Sequence, residues 1–211
     1  MQLSAFNAII FDLGGVIINL EYNRTAQAFI DLGLTNFNEI YSKAKQTSLF
    51  DDFEKGLMTN DAFRATLKQH LPEGVSDEAI DAAWNAMLLD IPQHRADFLR
   101  EVAKKYRIFL LSNTNSIHVT EFTAINDRVF GKGVFESIFE QHYYSCKMGM
   151  RKPDAEIFEY VLSENNLDRS KTLFIDDSIQ HVEGASAVGL TADWLRVENG
   201  ESIEEKFAGL L

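Results

Sequence analysis

The stretch AFNAIIFDLGG at residues 5–15 decides the fold class. Four consecutive apolar residues at positions 8–11 lead directly into Asp12, and the stretch ends at two glycines. A short apolar run that stops at a glycine turn is typical of a strand buried on both faces of a sheet. We therefore predict a central strand over residues 5–13, with Asp12 near its carboxyl end.

Segments of the same apolar character recur later in the chain, and each follows a stretch with apolar residues at helical spacing. The predicted strands are residues 107–111 (RIFLL), 172–175 (TLFI) and 191–195 (TADWL), and the predicted helices include residues 96–106 and 155–162. Helices that alternate with strands act as crossovers, which give a mostly parallel sheet covered on both faces. The predicted fold class is an α/β, Rossmann-like, doubly wound parallel sheet.

Between residues 20 and 91 the pattern changes, because helical spacing continues there without a convincing strand. Two helix starts are indicated, one after Asn60-Asp61 and one after Ser76-Asp77-Glu78, since such side chains cap free backbone amides and bring negative charge to them. We predict an inserted α-helical cap domain at residues 20–91 and an α/β core at residues 1–19 and 92–211. The joins near residues 16–21 and 90–93 are predicted to act as hinges.

Charge and composition exclude several classes of protein. With 32 acidic and 20 basic residues, the chain carries a formal charge of −12, which repels nucleic acid and anionic lipid. We expect neither partner, and the apolar runs are too short to cross a membrane. Cys146 is the single cysteine, so no internal disulfide forms; we predict no thiol chemistry, no secretory leader and a cytoplasmic location.

Polar side chains follow the predicted strands where ligands of an open parallel sheet bind. Asp12 follows the first strand, Ser112-Asn113 the second and Asp176-Asp177 the third, while Lys152 lies just before a helix. Each cluster alone has an ordinary structural explanation as a turn or a helix cap. Together they provide the carboxylate, hydroxyl, ammonium and carboxylate pair that phosphoryl transfer to an aspartate needs.

The order of these motifs resembles that of the haloacid dehalogenase superfamily, in which a strand-end Asp, a Ser or Thr, a Lys and an acidic pair follow one another. The resemblance implies that Asp12 is the nucleophile and that Mg²⁺ is the cofactor. The implied metal ligands are Asp12, the backbone carbonyl of Gly14 and Asp177, with Asp176 holding a water bound to the metal. Magnesium suits such a site because it prefers a few oxygen ligands.

The same resemblance implies roles in substrate binding. Ser112 and the amide of Asn113 would bind phosphoryl oxygens, and Lys152 would balance the clustered carboxylates. Arg24, early in the helical insertion, is a candidate for binding a substrate anion; a salt bridge on the helix surface is an equally good interpretation. His118 and His181 are predicted to be ordinary helix residues.

Phosphatases of the superfamily usually carry a second Asp two positions after the nucleophile, where it serves as general acid and base. Here that position is Gly14, so the proton must have another source. We leave two solutions open: a good leaving group, such as that of a sugar 1-phosphate, or an acid from the insertion, where Asp51, Asp52 and Glu54 cluster.

The motifs DLGGV at residues 12–16 and MGMRKPD at residues 148–154 resemble a branch with glucose-1-phosphatase-like members, which also lack the second Asp. The resemblance implies a magnesium-dependent phosphatase acting on a small phosphorylated metabolite, preferably a sugar phosphate, through an aspartyl phosphate. One alternative is a metal-independent 2-haloacid dehalogenase, although the pair Asp176-Asp177 argues against it. Another is a binding or regulatory protein with weakened turnover, which rests only on Gly14. The oligomeric state stays open.

Overall fold

The structure is a computed structural model that describes residues 5–37, 39–41 and 48–210. Its centre is a five-stranded sheet with the order β3-β2-β1-β4-β5, in which every neighbouring pair is parallel. The strands are β1 Ala8–Phe11, β2 Arg107–Ser112, β3 Gln141–Tyr144, β4 Thr172–Asp176 and β5 Thr191–Trp194. Because β1 occupies the middle of the sheet, the residue that follows it lies between the ends of β2 and β4.

Ten α-helices have both of their bounds within the described residues. They are α1 Tyr22–Asp31, α2 Leu49–Glu54, α3 Asn60–Lys68, α4 Asp77–Asn85, α5 Gln93–Ala103, α6 Ser116–Phe130, α7 Ser145–Met148, α8 Ala155–Glu164, α9 Ile179–Ala187 and α10 Ile203–Lys206. None of the helices in this described part is both long and apolar enough to cross a membrane.

Both faces of the sheet are covered by helices. Successive residues of a strand point to opposite faces, so a single strand can contribute to two hydrophobic clusters. Ile9 and Phe11 of β1 belong to one hydrophobic cluster, which includes Leu99 of α5. Ile10 of β1 belongs to a second cluster, which includes Phe158 of α8. A parallel sheet buried on both faces confirms the predicted Rossmann-like, doubly wound fold class.

The sequence prediction missed β3, whose sequence QHYY contains no apolar run. This strand lies at the edge of the sheet, where Gln141 is exposed while Tyr143 and Tyr144 are buried. An edge strand has one neighbour and one open side, so it does not need the continuous apolar pattern of a central strand. The other predicted strands are present, with ends shifted by a few residues.

The predicted start of α3 is wrong by two residues, because both Asn60 and Asp61 were expected to precede the helix. Asn60 is already helical, and the N-cap is Thr59, whose side chain accepts a hydrogen bond from the backbone N–H of Ala62 at 3.2 Å. Thr59 has an extended backbone, so its hydroxyl can reach back to the first turn. Helix α4 also begins two residues earlier than predicted, because Asp77 and Glu78 lie in its first turn; Ser76 is its N-cap, and the Ser76 hydroxyl accepts from Ala79 N at 3.2 Å.

Helices α1 to α4 provide most of a third hydrophobic cluster, which also includes Ile117 of α6; its buried members include Phe29, Phe53, Phe63 and Trp84. The chain enters and leaves this helical insertion by two adjacent segments. The backbone N–H groups of Asn19 and Leu89 donate to the carbonyls of Asp90 and Asn19, at 2.9 and 3.0 Å. The chain therefore enters and leaves the insertion at one place beside the sheet.

The predicted division at residues 1–19, 20–91 and 92–211 stays a prediction. The parts of it at residues 1–4, 38, 42–47 and 211 lie outside the described residues.

Phe63 provides a test of the core of the insertion. Its side chain is fully buried and stacks on Phe53, with ring centroids 4.1 Å apart. Replacing Phe63 by Ala should lower the free energy of unfolding by about 3–5 kcal/mol, because the change leaves a cavity. Urea unfolding followed by circular dichroism measures this loss. Leu57→Ala at a 70% exposed site should change stability by no more than about 0.5 kcal/mol; equal effects of the two variants would contradict the assigned packing.

Candidate active site

Three carboxylates meet at the carboxyl end of the central strands. Asp12 follows β1, Asp176 is the last residue of β4 and Asp177 comes next. Strands β1 and β4 are paired in parallel, with Phe11 beside Ile175, so the residues after them lie side by side. One oxygen from each carboxylate can be chosen so that all three lie within 4.8 Å of one another. The acidic residues singled out from the sequence are therefore brought together.

A fully buried ammonium group joins two of these carboxylates. Lys152 Nζ donates to Asp12 Oδ1 at 2.6 Å, to Asp176 Oδ2 at 2.6 Å and to the backbone carbonyl of Leu111 at 2.8 Å. Burial disfavours the charged amine, but the attraction of Asp12 and Asp176 outweighs it and raises the pKa of Lys152 above its ordinary value. The lysine is therefore held as a cation against the central aspartates.

One ammonium does not compensate three carboxylates. Burial raises the pKa of Asp12 to about 6, with Lys152 opposing the rise and Asp176 adding to it. Burial together with the charges of Asp12 and Asp176 raises the pKa of Asp177 to about 7. Asp176 is different, because Lys152 and His181 outweigh its burial and lower its pKa. The cluster thus keeps an excess of negative charge that a bound cation would relieve.

The donor set fits magnesium. Carboxylate oxygens are hard ligands, and Mg²⁺ is bound in proteins by one or two carboxylates together with substrate phosphate oxygens. Gly15 makes the close packing of the site possible: its φ of 73° suits glycine, and a Cβ atom there would collide with the Asp177 carboxylate. Asp177 therefore packs directly against the turn that contains Gly14. The role of the Gly14 carbonyl as a ligand stays a prediction.

Ser112 and Asn113 follow β2, beside Asp12. Ser112 is buried at the end of the strand and lines the cavity above the carboxylates. The side chain of Asn113 forms two hydrogen bonds with the backbone of Lys152. Its Nδ2 donates to Lys152 O at 2.8 Å, and its Oδ1 accepts from Lys152 N at 2.9 Å. This pair of hydrogen bonds fixes the segment that carries the lysine.

The structure does not bring Arg24 to the other predicted site residues. Arg24 is exposed on α1 and is not among the residues that line the cavity. Its proposed contact with a substrate anion stays a prediction to which this geometry adds no support.

A cavity of about 610 Å³ lies over the carboxylates. Its floor includes Asp12, Asp177 and Ser112, and much of its wall comes from the helical insertion. The wall is largely apolar, with Phe50 and Trp84 stacked at a centroid distance of 5.7 Å. A cavity of this size fits a small metabolite, and its position between sheet and insertion is where ligands of this fold class bind.

The contacts of His181 with Asp176 and Asn113 were not predicted from the sequence. His181 is on a helix, as predicted, but its Nδ1 lies 3.0 Å from Asp176 Oδ1 and its Nε2 lies 3.5 Å from Asn113 Nδ2. It therefore links the second aspartate of the cluster to the residue that holds Lys152. The sequence contained one signal for this contact. His181 lies five residues after Asp176, in the first turn of the helix that directly follows β4.

The family relationship follows from comparison with known proteins. The model of the haloacid dehalogenase-like hydrolase family matches residues 6–189, so the chain belongs to this family and is a hydrolase. The family predicted from the motif order is thereby confirmed.

Several relatives are similar over nearly the whole chain. A D-ribitol-5-phosphate phosphatase from Bacteroides thetaiotaomicron is 28% identical over 203 residues, which cover 96% of this chain and 97% of that protein. A haloacid dehalogenase family enzyme from the same organism, solved with magnesium and inorganic phosphate, is 36% identical, with a TM-score of 0.82 and coverages of 90% and 93%. A similar hydrolase from Porphyromonas gingivalis is 28% identical, with a TM-score of 0.85 and coverages of 98% and 98%.

Magnesium should stabilise the protein more strongly as the pH rises. The pKa values of Asp12 and Asp177, about 6 and about 7, lie above the ordinary 3.8, so the metal-free fold loses stability as the pH rises through this range. Mg²⁺ binds the deprotonated carboxylates and offsets this loss. At about 100 times its Kd it should raise Tm by roughly 5–10 °C at pH 8, with a smaller shift at pH 5.

Differential scanning fluorimetry with and without Mg²⁺ at both pH values measures the effect. Asp177→Asn removes one carboxylate and should reduce the shift at pH 8. A shift of the same size at both pH values would show that these carboxylates do not hold the ion.

Proposed function

We propose that the protein is a magnesium-dependent phosphatase that hydrolyses a small phosphomonoester of a sugar or polyol through an aspartyl phosphate on Asp12. One observation carries this proposal: a single buried ammonium, Lys152 Nζ, contacts both Asp12 and Asp176 at 2.6 Å, while Asp177 belongs to the same carboxylate cluster. A nucleophilic carboxylate, a fixed cation and a further acidic pair are the parts required for phosphoryl transfer to an aspartate.

Asp12 is the proposed nucleophile. Lys152 holds its Oδ1, which fixes the orientation of the carboxylate and leaves Oδ2 for the attack on phosphorus. Lys152 also opposes protonation of Asp12, so the nucleophile is available near neutral pH. The attack forms the bond between Asp12 and phosphorus while the ester oxygen leaves.

The proposed magnesium ligands are Asp12, Asp177 and the backbone carbonyl of Gly14, and Asp176 is proposed to hold a water bound to the metal. When bound, the ion neutralises charge on the phosphoryl group and helps to orient it. The excess negative charge of the cluster supports this assignment, because Lys152 alone does not balance it and a second cation would.

Ser112 and the backbone N–H of Asn113 are proposed to donate hydrogen bonds to phosphoryl oxygens, together with Lys152. Their positions support this, since Ser112 and Asn113 line the cavity next to Asp12. The side chain of Asn113 is already engaged with the Lys152 backbone, so its proposed contact with phosphate is through the main chain.

The helical insertion, residues 20–91, is proposed to act as a cap that covers the strand ends and excludes water during the attack. Its attachment through the adjacent segments around Asn19 and Asp90 supports a hinge at that place. Substrate choice then depends on the cavity wall, most of which belongs to the insertion.

A phosphorylated sugar or polyol is the proposed substrate class. The similar protein from Bacteroides thetaiotaomicron is a D-ribitol-5-phosphate phosphatase, and a structure that resembles this chain was solved with magnesium and inorganic phosphate. A cytoplasmic location is also proposed; the free thiol of Cys146 is in keeping with a reducing compartment.

Asp12→Asn tests the nucleophile directly. The change removes the attacking carboxylate but keeps its shape, so kcat for ribitol 5-phosphate and other phosphate esters should fall by at least about 10⁴-fold. Phosphate release with Mg²⁺ measures the loss, and circular dichroism checks the fold. The same change at Asp61, whose side chain is 91% exposed, should leave turnover unchanged. Magnesium-dependent turnover in Asp12→Asn would refute the assignment.

The dehalogenase alternative makes the opposite prediction. A metal-independent enzyme of that kind would release halide from a 2-haloacid in the presence of a chelator. We expect no halide release above background, because Asp176 and Asp177 lie with Asp12 in a group of carboxylates that could hold a metal ion. Steady halide release in excess chelator, measured by ion chromatography, would replace the phosphatase proposal with the dehalogenase alternative.

A further inference from the structure

The proposed phosphatase reaction needs a proton for the leaving oxygen, and the following inference about its source rests on that reaction. Position 14, where a second Asp would provide the proton, is glycine. The space beside it is taken by Leu20, whose Cδ1 atom would lie 2.8 Å from a Cβ added at Gly14. The turn after β1 therefore provides no acid, and the source must be elsewhere in the cavity.

The structure discriminates among the three acidic residues near the end of α2. Asp52 is not among the residues that line the cavity, and its carboxylate accepts a hydrogen bond from Ser48 Oγ at 2.6 Å. Asp51 lines the cavity, but its side chain is 56% exposed and accepts a hydrogen bond from Arg151 Nη1 at 2.7 Å. Glu54 lines the cavity and is more deeply buried, with a side-chain exposure of 28%.

Glu54 forms an ion pair, but one of its carboxylate oxygens accepts no hydrogen bond from the residues that the structure describes. Its Oε2 atom lies 2.9 Å from Arg151 Nη2, yet the contact lacks hydrogen-bond geometry. Within the described part of the chain, this buried oxygen therefore has no hydrogen-bond partner. This oxygen is open to a ligand in the cavity: a ligand hydroxyl would donate to the carboxylate, and the protonated carboxyl would donate to an ester oxygen.

The position of Glu54 is fixed relative to the nucleophile. Arg151, its ion-pair partner, is directly followed by Lys152, whose ammonium holds Asp12. A second ion pair joins the same two segments, since Lys55 Nζ lies 3.1 Å from Asp154 Oδ2. Two contacts thus connect the end of α2 to the loop that carries the lysine, so Glu54 is positioned by the same loop that orients Asp12.

Glu54 shares one cavity with the nucleophile. Asp12, Asp177, Tyr22, His181 and Glu54 all line it. The leaving group of a phosphoryl substrate held at Asp12 would lie in this cavity, within the space that Glu54 borders.

The electrostatic surroundings favour a carboxyl that carries its proton more readily than an exposed glutamate. Burial raises the pKa of Glu54; Arg151 opposes the rise, Asp51 adds to it and His181 opposes it. The net direction is upward, which brings the group nearer to the range suited to a general acid.

We propose that Glu54 is the general acid and base that replaces the aspartate missing at position 14. As Asp12 forms its bond to phosphorus, the P–O ester bond breaks, and the leaving oxygen takes the proton from the Glu54 carboxyl. The Glu54 carboxylate then accepts a proton from the water whose oxygen attacks the aspartyl phosphate. Phosphate leaves, Asp12 returns as a carboxylate and Glu54 regains its proton.

A comparison of leaving groups tests this role. Ribitol 5-phosphate leaves as an alcohol that needs a proton, whereas 2,4-dinitrophenyl phosphate releases a phenolate that does not. Glu54→Gln should lower kcat for ribitol 5-phosphate by about 10²–10⁴-fold. In the first turnover with dinitrophenyl phosphate, stopped-flow absorbance should show phenolate release within about threefold of the wild-type rate. Steady-state turnover should then slow, and aspartyl phosphate should accumulate in acid-quenched samples analysed by mass spectrometry.

Two matched variants complete the test. Asp51→Asn removes the other carboxylate partner of Arg151, and it should keep the wild-type ratio between the two substrates. Glu54→Asp keeps the acid and should retain more ribitol 5-phosphate turnover than Glu54→Gln.

Two results would overturn the assignment of Glu54. In one, Glu54→Gln hydrolyses ribitol 5-phosphate within about threefold of wild type. In the other, it slows the first release of dinitrophenolate as much as it slows the alcohol substrate, as expected of a purely structural residue. Both leave the proposed phosphatase intact, since that depends on the effect of Asp12→Asn.

Discussion

The fully buried contact of Lys152 with Asp12 and Asp176 is the interaction on which the rest of the site depends. The two carboxylates follow neighbouring strands of the sheet, and the ammonium reaches them from a separate loop. Removing one partner from such a buried ionic cluster leaves an uncompensated charge, which is strongly destabilising. The same contact therefore compensates the buried charges at the strand ends and fixes the orientation of Asp12, the proposed nucleophile.

Further contacts hold the lysine in place and extend its influence. Asn113 binds both the N–H and the carbonyl of Lys152, and His181 contacts Asp176 on the other side. Arg151, the preceding residue, pairs with Asp51 and Glu54 of the helical insertion. One loop thus connects Asp12, the turn at Ser112-Asn113 and the wall of the cavity.

Part of this arrangement could be predicted from the sequence, because apolar strands ending at Asp12, Ser112 and Asp176 must end at the same edge of a parallel sheet. Edge strand β3 was not predictable in this way, since QHYY has no apolar run. The contact of His181 with Asp176 was also missed, because a lone histidine on a helix has no distinctive spacing. The choice among Asp51, Asp52 and Glu54 could not be made from adjacent positions on one short helix.

By itself the sequence determined the class of fold, and it predicted both the insertion of helices after the first strand and the set of residues proposed to transfer a phosphoryl group. These features follow from hydrophobic periodicity and from the chemistry of individual side chains, both of which are local properties. Only the tertiary structure decided which groups are buried together, that one ammonium serves two carboxylates, and that Glu54 rather than Asp52 faces the cavity. Burial and charge compensation arise between distant segments, so they exist only once the chain has folded.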